Sequence, residues 1–266
     1  MAKIAKIDKE TKKAILEARQ VIDTVARADG NEAETRRRIE RILESLMGYD
    51  VFKYVTREYA VHGVGDSDYC DFAIKIEEGE KAIPEMLVEI KRVNVDLAAK
   101  HLKQVASYAI NIGCEWVVLT NGKEWKLYHI SFGQPPQPKL IESWNLLTDE
   151  PTILADKFSI VAYKNVKKGG LRQLWQKSNV LSTQNILKAM LSEDSVALIR
   201  RKIKKSTDVA VSPEDIISTI RHLLNEAAIS EMENIKICLP MEAKRKRVPA
   251  KKPLESNNNL LAPKQS

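Results

Sequence analysis

The chain has 266 residues, 44% of them hydrophobic and 30% charged, the balance of a globular protein with one sizeable domain and a smaller appendage, not of a disordered or membrane chain. Its formal net charge of +7 is unevenly spread: residues 1–150 hold 22 Lys+Arg against 25 Asp+Glu, and residues 151–266 hold 21 against 11. No apolar run nears the ~18 residues of a spanning helix and no apolar secretion core follows Met1, so a cytoplasmic protein without a membrane partner is expected.

Residues 9–28 have helical spacing, and after the Asp29-Gly30-Asn31 break a second helix is predicted, with Ile39, Ile42, Leu43, Leu46 and Met47 on one face and Gly48 as its stop. The period then changes to two. Residues 52–61 are rich in β-branched and aromatic side chains, residues 63–68 have turn chemistry, and residues 71–76 set Phe72, Ile74 and Ile76 on one face. A polar turn over 77–81 leads to a strand over 85–92, with Val88 and Ile90 facing one way and Leu87, Glu89 and Lys91 the other. A helix follows from an N-cap at Asp96 to a stop at Gly113, and strands over 116–120 and 125–130 flank the Asn121-Gly122 turn. The order α-β-β-β-α-β-β predicts an α/β fold, a mixed β-sheet flanked by helices.

Residues 134–138 (Gln-Pro-Pro-Gln-Pro) read as a loop or linker. Helical spacing returns at 171–175, 183–191, 195–204 and 213–226, the last opened by Ser212 as N-cap and Pro213 at the first position. Three parts are expected: a domain over 1–150, a small helical domain over 151–242 and a disordered basic tail over 243–266. Cys70, Cys114 and Cys238 are too scattered for a disulfide framework or a zinc site and read as buried thiols.

The chemistry concentrates at Glu89-Ile90-Lys91. A period of two puts both charged side chains on one face with Cα atoms roughly 6.5 Å apart. Asp71 opens the neighbouring strand, so a second carboxylate can approach Glu89. Two adjoining carboxylates repel unless a divalent cation joins them, and Mg²⁺ prefers a few hard oxygens plus water. Lys91 could then orient or acidify an attacking water and offset charge on a scissile phosphate in an in-line displacement. Glu-x-Lys alone is not distinctive: Glu10-Thr11-Lys12, Glu124-Trp125-Lys126 and Glu242-Ala243-Lys244 repeat it. Glu89 differs by the apolar strand before it, the Asp on the partner strand and the helix after it. The competing use of the same residues is a structural salt bridge.

On Asn31 to Arg36, Gly48-Tyr49-Asp50, Arg57-Glu58-Tyr59, Asp71 to Ile74 and Glu89-Ile90-Lys91, the chain resembles the amino-terminal nuclease domain of type I restriction enzyme R subunits, over roughly residues 28–131. The resemblance implies a restriction-endonuclease-like, PD-(D/E)xK fold that cuts DNA with Mg²⁺ or Mn²⁺, Asp71 and Glu89 binding the metal and Lys91 assisting the nucleophilic water. Gln104 and Tyr108 match the QxxxY element such domains place beside the active site, and i, i+4 residues share a helix face. Family members also carry an acidic residue on the first helix; at about 100° per residue Glu32 aligns with Ile39, Leu43 and Leu46, whereas Glu34 points nearly opposite and Glu40 sideways, which favours Glu32.

Nucleic-acid contact is assigned to Arg36 and to the basic residues Lys167, Lys168, Arg200, Arg201, Lys204 and Lys205, which could track phosphates. The resemblance departs in two places: Cys70 stands where a proline precedes the family's Asp, and the sequence holds no GxxxxGK[ST] phosphate loop, so no helicase motor is legible in it. The leading expectation is a Mg²⁺-dependent DNA endonuclease in restriction or defence, acting as a homodimer or with a restriction-system partner subunit. The alternative is a catalytically silent, nuclease-fold DNA-binding or regulatory protein of a restriction or phage-encoded system.

Overall fold

In the computed structural model, which describes residues 7–61, 68–77, 82–133 and 135–236, α1 (Lys9–Arg27) opens at Asp8, whose carboxylate accepts the Thr11 amide at 2.8 Å. A turn with Asp29 at φ 51° separates it from α2 (Glu32–Ser45). There Asn31 and Glu34 form a reciprocal capping box: the Glu34 amide donates to Asn31 at 2.9 Å and the Asn31 amide to Glu34 at 3.1 Å. Where a continuous strand was expected over 52–61, the Asp50 carboxylate gathers the Phe52 and Lys53 amides into a single turn, α3 (Val51–Tyr54), and β1 begins only at Val55 (Val55–Val61).

The rest of the sheet is β2 (Asp68–Ile74), β3 (Met86–Ile90), β4 (Trp116–Thr120), β5 (Glu124–Ser131) and β6 (Gln137–Asn145), with α4 (Ala99–Ile112) between β3 and β4. The six strands lie side by side in chain order; β3 and β4 are parallel across α4 and every other neighbouring pair is antiparallel. The fold class is the expected mixed α/β. Of the loop or linker start read at 134–138, residues 135–136 are irregular as expected, but Gln137 and Pro138 already belong to β6: a proline can pair at a sheet edge, where Pro138 sits opposite Ile130 and β6 pairs with β5 alone among the described strands. Asp96 is not the N-cap of α4 either. Its first turn is closed by His101, whose Nδ1 accepts the Ala98 amide at 3.2 Å, while Gly113 ends it at φ 74° as expected.

Helices cover both faces of the sheet. Ile15, Ile22, Ile39, Ile42 and Leu43 of α1 and α2 pack on Phe72, Ile74, Val88, Ile90 and Val118, whereas Val105, Ala106, Tyr108 and Ala109 of α4 pack on Ala73, Leu87 and Val117. The expected division of β3 into a Val88–Ile90 face and a Leu87 face is what the two clusters display. Three more helices join the first cluster: α5 (Pro151–Val161), α6 (Tyr163–Val166) and α7 (Gly170–Val180), through Leu154, Phe158, Val161, Val166 and Leu171. Phe158 meets Trp125 and Trp144 edge-on at 5.3 and 5.4 Å. Trp175 of α7 stacks on His129 of β5 at 3.7 Å. The chain accordingly divides into residues 1–181 and 182–266; the boundary expected at 150, where helical spacing returns, differs because α5 to α7 pack into the first unit's core.

The second unit holds α8 (Thr183–Met190), α9 (Glu193–Thr207), α10 (Pro213–Leu223) and α11 (Glu226–Glu233) around Leu187, Leu191, Val196, Ile216, Ile220 and Met232. The helix expected over 213–226 stops sooner because the Asn225 side chain accepts the Ala228 amide at 2.9 Å and starts α11. Cys70 and Cys114 are buried free thiols. Cys238, the basic tail over 243–266 and most of the turns expected over 63–68 and 77–81 lie outside the described residues.

Candidate active site

Register brings the central residues together. Phe72 pairs with Val88 across β2 and β3, so one step further Asp71 stands opposite Glu89. There a side chain replaces the ladder: the Ile90 amide donates to the Asp71 carboxylate at 2.8 Å. On the other side, the Lys91 amide donates to the Thr120 carbonyl of β4 at 2.9 Å, fixing the chain as it leaves β3. The Lys91 ammonium donates to Glu89 Oε1 at 2.6 Å. Glu89 is 3% exposed, and its second oxygen, Oε2, is buried with no hydrogen-bond partner among the described residues.

An ion-pair bridge adjoins this group. The Arg36 guanidinium of α2 lies 3.1 Å from Glu58 of β1 and 3.5 Å from Asp71. Glu58 adopts φ 46° inside a strand, a conformation that costs on the order of 1 kcal/mol for a residue with a Cβ. Arg36, Glu58, Tyr69, Cys70 and Asp71 line a cavity of about 360 Å³; Glu89 and Lys91 are not among its lining residues. A larger hollow of about 460 Å³ in the second unit, beside Ile217, Ile229 and Met232, also holds Glu214, Arg221 and Glu233, but there Arg221 and Glu233 form an exposed ion pair at 2.9 Å and neither is buried.

Proton affinities follow from burial. Desolvation raises the Asp71 carboxyl, against the Ile90 amide and the Arg36 charge, and the neighbouring Glu32 charge adds to the rise. Desolvation also raises Glu89, the Lys91 hydrogen bond opposing it and the Asp71 charge reinforcing it. For Lys91 burial pulls downward, but the Glu89 hydrogen bond and the charges of Glu89, Glu32 and Asp71 outweigh it and hold the ammonium above its ordinary value. Buried His101 is lowered by desolvation and then by Lys91; its bond to the Ala98 amide requires an unprotonated Nδ1.

Among the helix-α2 acids, Glu32 acts electrostatically on Asp71, Lys91 and His101. Glu34 is spent on the capping box and Glu40 pairs with Arg57. Thr35 ties the helix down: fully buried, it accepts the Val93 amide at 3.2 Å just beyond β3. Gln104 donates to the Tyr108 hydroxyl at 2.7 Å, and Tyr108 lies in the apolar cluster with Cys70 and Leu87. Arg36, expected at nucleic acid, is placed on two carboxylates. Lys167 and Lys168 are exposed at the end of α6, as are Arg201, Lys204 and Lys205 on α9, whereas half-buried Arg200 donates to the Val211 carbonyl at 2.9 Å.

Sequence reasoning did not single out Thr35, Glu58 or His101 as site residues. Glu58 lay within a quoted motif, but nothing in a glutamate announces a positive φ. His101 was hidden by the cap expected at Asp96.

The donor set fits a small divalent cation. Among the described residues no three His, Cys, Asp or Glu side chains gather around one point, so Asp71 and Glu89 would be the protein ligands. Water and substrate phosphate would complete the shell, the arrangement Mg²⁺ accepts. The partnerless Glu89 Oε2 is the kind of oxygen such an ion satisfies.

The family model described as Type I restriction enzyme R protein N terminus matches residues 31–141. No curated protein and no solved structure gives a match. The matched span runs from the Asn31 cap into β6 and contains every residue of the cluster just described.

Proposed function

We propose, from the premise that residues 31–141 form a domain of the type I restriction enzyme R protein N-terminal family, that this chain is a Mg²⁺-dependent endonuclease hydrolysing phosphodiester bonds of DNA. The carrying observation is Glu89. A nearly buried carboxylate with one oxygen on Lys91 and the other partnerless beside a second carboxylate costs the fold free energy. Such a cost suits a site that receives a cation.

Asp71 and Glu89 are the ligands in this reading, and the bound ion supplies charge neutralisation at the phosphate and a lowered water pKa. Lys91, held by Glu89 at 2.6 Å and kept protonated, directs its remaining N–H bonds at the attacking water and a non-bridging phosphate oxygen. A water oxygen–phosphorus bond forms as the bond from phosphorus to one ester oxygen breaks in line; the water's proton passes to bulk solvent, and the departing oxygen takes a proton from solvent. The Gln104–Tyr108 hydrogen bond on α4, at 2.7 Å, is assigned a supporting role beside the site in this reading. Exposed Lys167 and Lys168 in the first unit, and exposed Arg201, Lys204 and Lys205 in the second, are each suited to contact backbone phosphates, and Glu32 tunes the charge balance at Asp71 and Lys91.

Purified protein should nick supercoiled plasmid with Mg²⁺ or Mn²⁺ and not with EDTA, and Lys91→Ala should slow nicking by about 10²-fold or more. Salt-sensitive DNA binding without cleavage by the unaltered protein would replace the enzyme with a silent nuclease-fold binder.

A further inference from the structure

Arg36 bridges Asp71 and Glu58. One guanidinium nitrogen lies 3.1 Å from Glu58 and 3.5 Å from Asp71, so a cation that takes Asp71 as a ligand must compete with a positive charge already resting there. Glu58 is the second seat for that charge. Its backbone is held at φ 46° between ordinary strand residues, while its side chain is 70% exposed; it is not buried by apolar packing. Both acids line the same 360 Å³ cavity as Arg36, so there is room for the guanidinium to shift. A phosphodiester entering that cavity offers Arg36 a bidentate acceptor that an exposed carboxylate does not outcompete.

We propose that Arg36 is an exchangeable counterion: with no DNA bound it shields Asp71 and weakens metal binding, and on DNA binding it moves to a backbone phosphate, so that the cation is held tightly only when substrate is present. Glu58 sets the balance by drawing Arg36 partly off Asp71. This rests on the nuclease reading above and adds the order in which metal and DNA engage. Arg36 touches substrate; Glu58 is a positioning residue that acts through it.

The test is titration of Mn²⁺ alone into the full chain without DNA, followed by calorimetry, with thermal unfolding as a check that each variant is folded. Arg36→Ala should bind Mn²⁺ about tenfold more tightly than the unaltered protein, the size of effect one adjacent charge has on a carboxylate. Glu58→Gln should bind it several-fold more weakly, because Arg36 then rests on Asp71 alone. In the Arg36→Ala background Glu58→Gln should change nothing, which separates a counterion seat from a direct metal ligand. The same Arg36→Ala variant should need more DNA for half-maximal cleavage.

Weaker or equal Mn²⁺ binding by Arg36→Ala, while Asp71→Asn abolishes binding, overturns the counterion and leaves the nuclease standing. If no protein binds Mn²⁺ and none nicks plasmid, the nuclease reading itself fails and the counterion falls with it.

Discussion

Partly buried Asp71 and buried Glu89 are a cost to the fold. Burial raises both carboxyls, so the folded chain keeps their protons to higher pH than the unfolded chain does. Their contribution to stability is therefore fully present at acid pH and falls as pH climbs from the ordinary carboxylate value through the raised one. Lys91 runs the other way: its raised value adds stability throughout neutral pH that is lost only above the ordinary lysine range. With EDTA present, Asp71→Asn should raise the thermal midpoint at neutral pH by about 2–4 °C, the equivalent of ~1 kcal/mol in a chain of this size. The gain should shrink as the buffer is acidified into the carboxylate range; a lower midpoint at neutral pH would show that Arg36 and Ile90 already compensate Asp71. The Asp71–Glu89–Lys91 cluster was legible because strand alternation fixes which side chains share a face. Arg36 as a bridge between two acids was not, since its partners lie on strands whose distance from α2 no local pattern encodes.

At the scale of elements, the strands on either side of the Asn121-Gly122 turn were readable from turn chemistry, and the end of α4 from Gly113. The beginning of α4 was misread because His101, a poor cap by composition, reaches back to the Ala98 amide. β6 was masked by its prolines, which mark a loop in most contexts but are compatible with a one-sided edge strand. α5 matters most for what counts as a domain. Leu154 and Phe158 are buried against the sheet, and Arg19 donates to the Leu146 and Asp149 carbonyls at 2.9 and 2.6 Å. A chain ending after Glu150 strips Leu154, Phe158, Val161, Val166 and Leu171 from the core, and each large apolar side chain is worth about 1.5–3 kcal/mol. That chain should be insoluble or lack a cooperative melting transition, whereas one ending after Leu181 should melt cooperatively. Equal behaviour of the two would return the boundary to 150.

Across the whole molecule, charge is unevenly spread: the Asp71–Glu89–Lys91 cluster lies in a sequence half of nearly balanced charge, and the Lys+Arg excess lies after residue 150. If exposed Arg201, Lys204 and Lys205 bind DNA backbone, replacing all three with alanine should flatten the dependence of log affinity on log salt by about 2–3 units in an anisotropy titration with EDTA. Arg200→Ala should leave the slope nearly unchanged and lower stability instead, because its guanidinium holds the Val211 carbonyl. An unchanged slope in the triple variant would move DNA affinity elsewhere on the chain. The aromatic stacking described above has an optical consequence as well. All four tryptophans, Trp116, Trp125, Trp144 and Trp175, lie before residue 182. Intrinsic ultraviolet emission therefore originates in the first unit alone, and the helices of the second can melt in darkness, seen by circular dichroism but not by fluorescence.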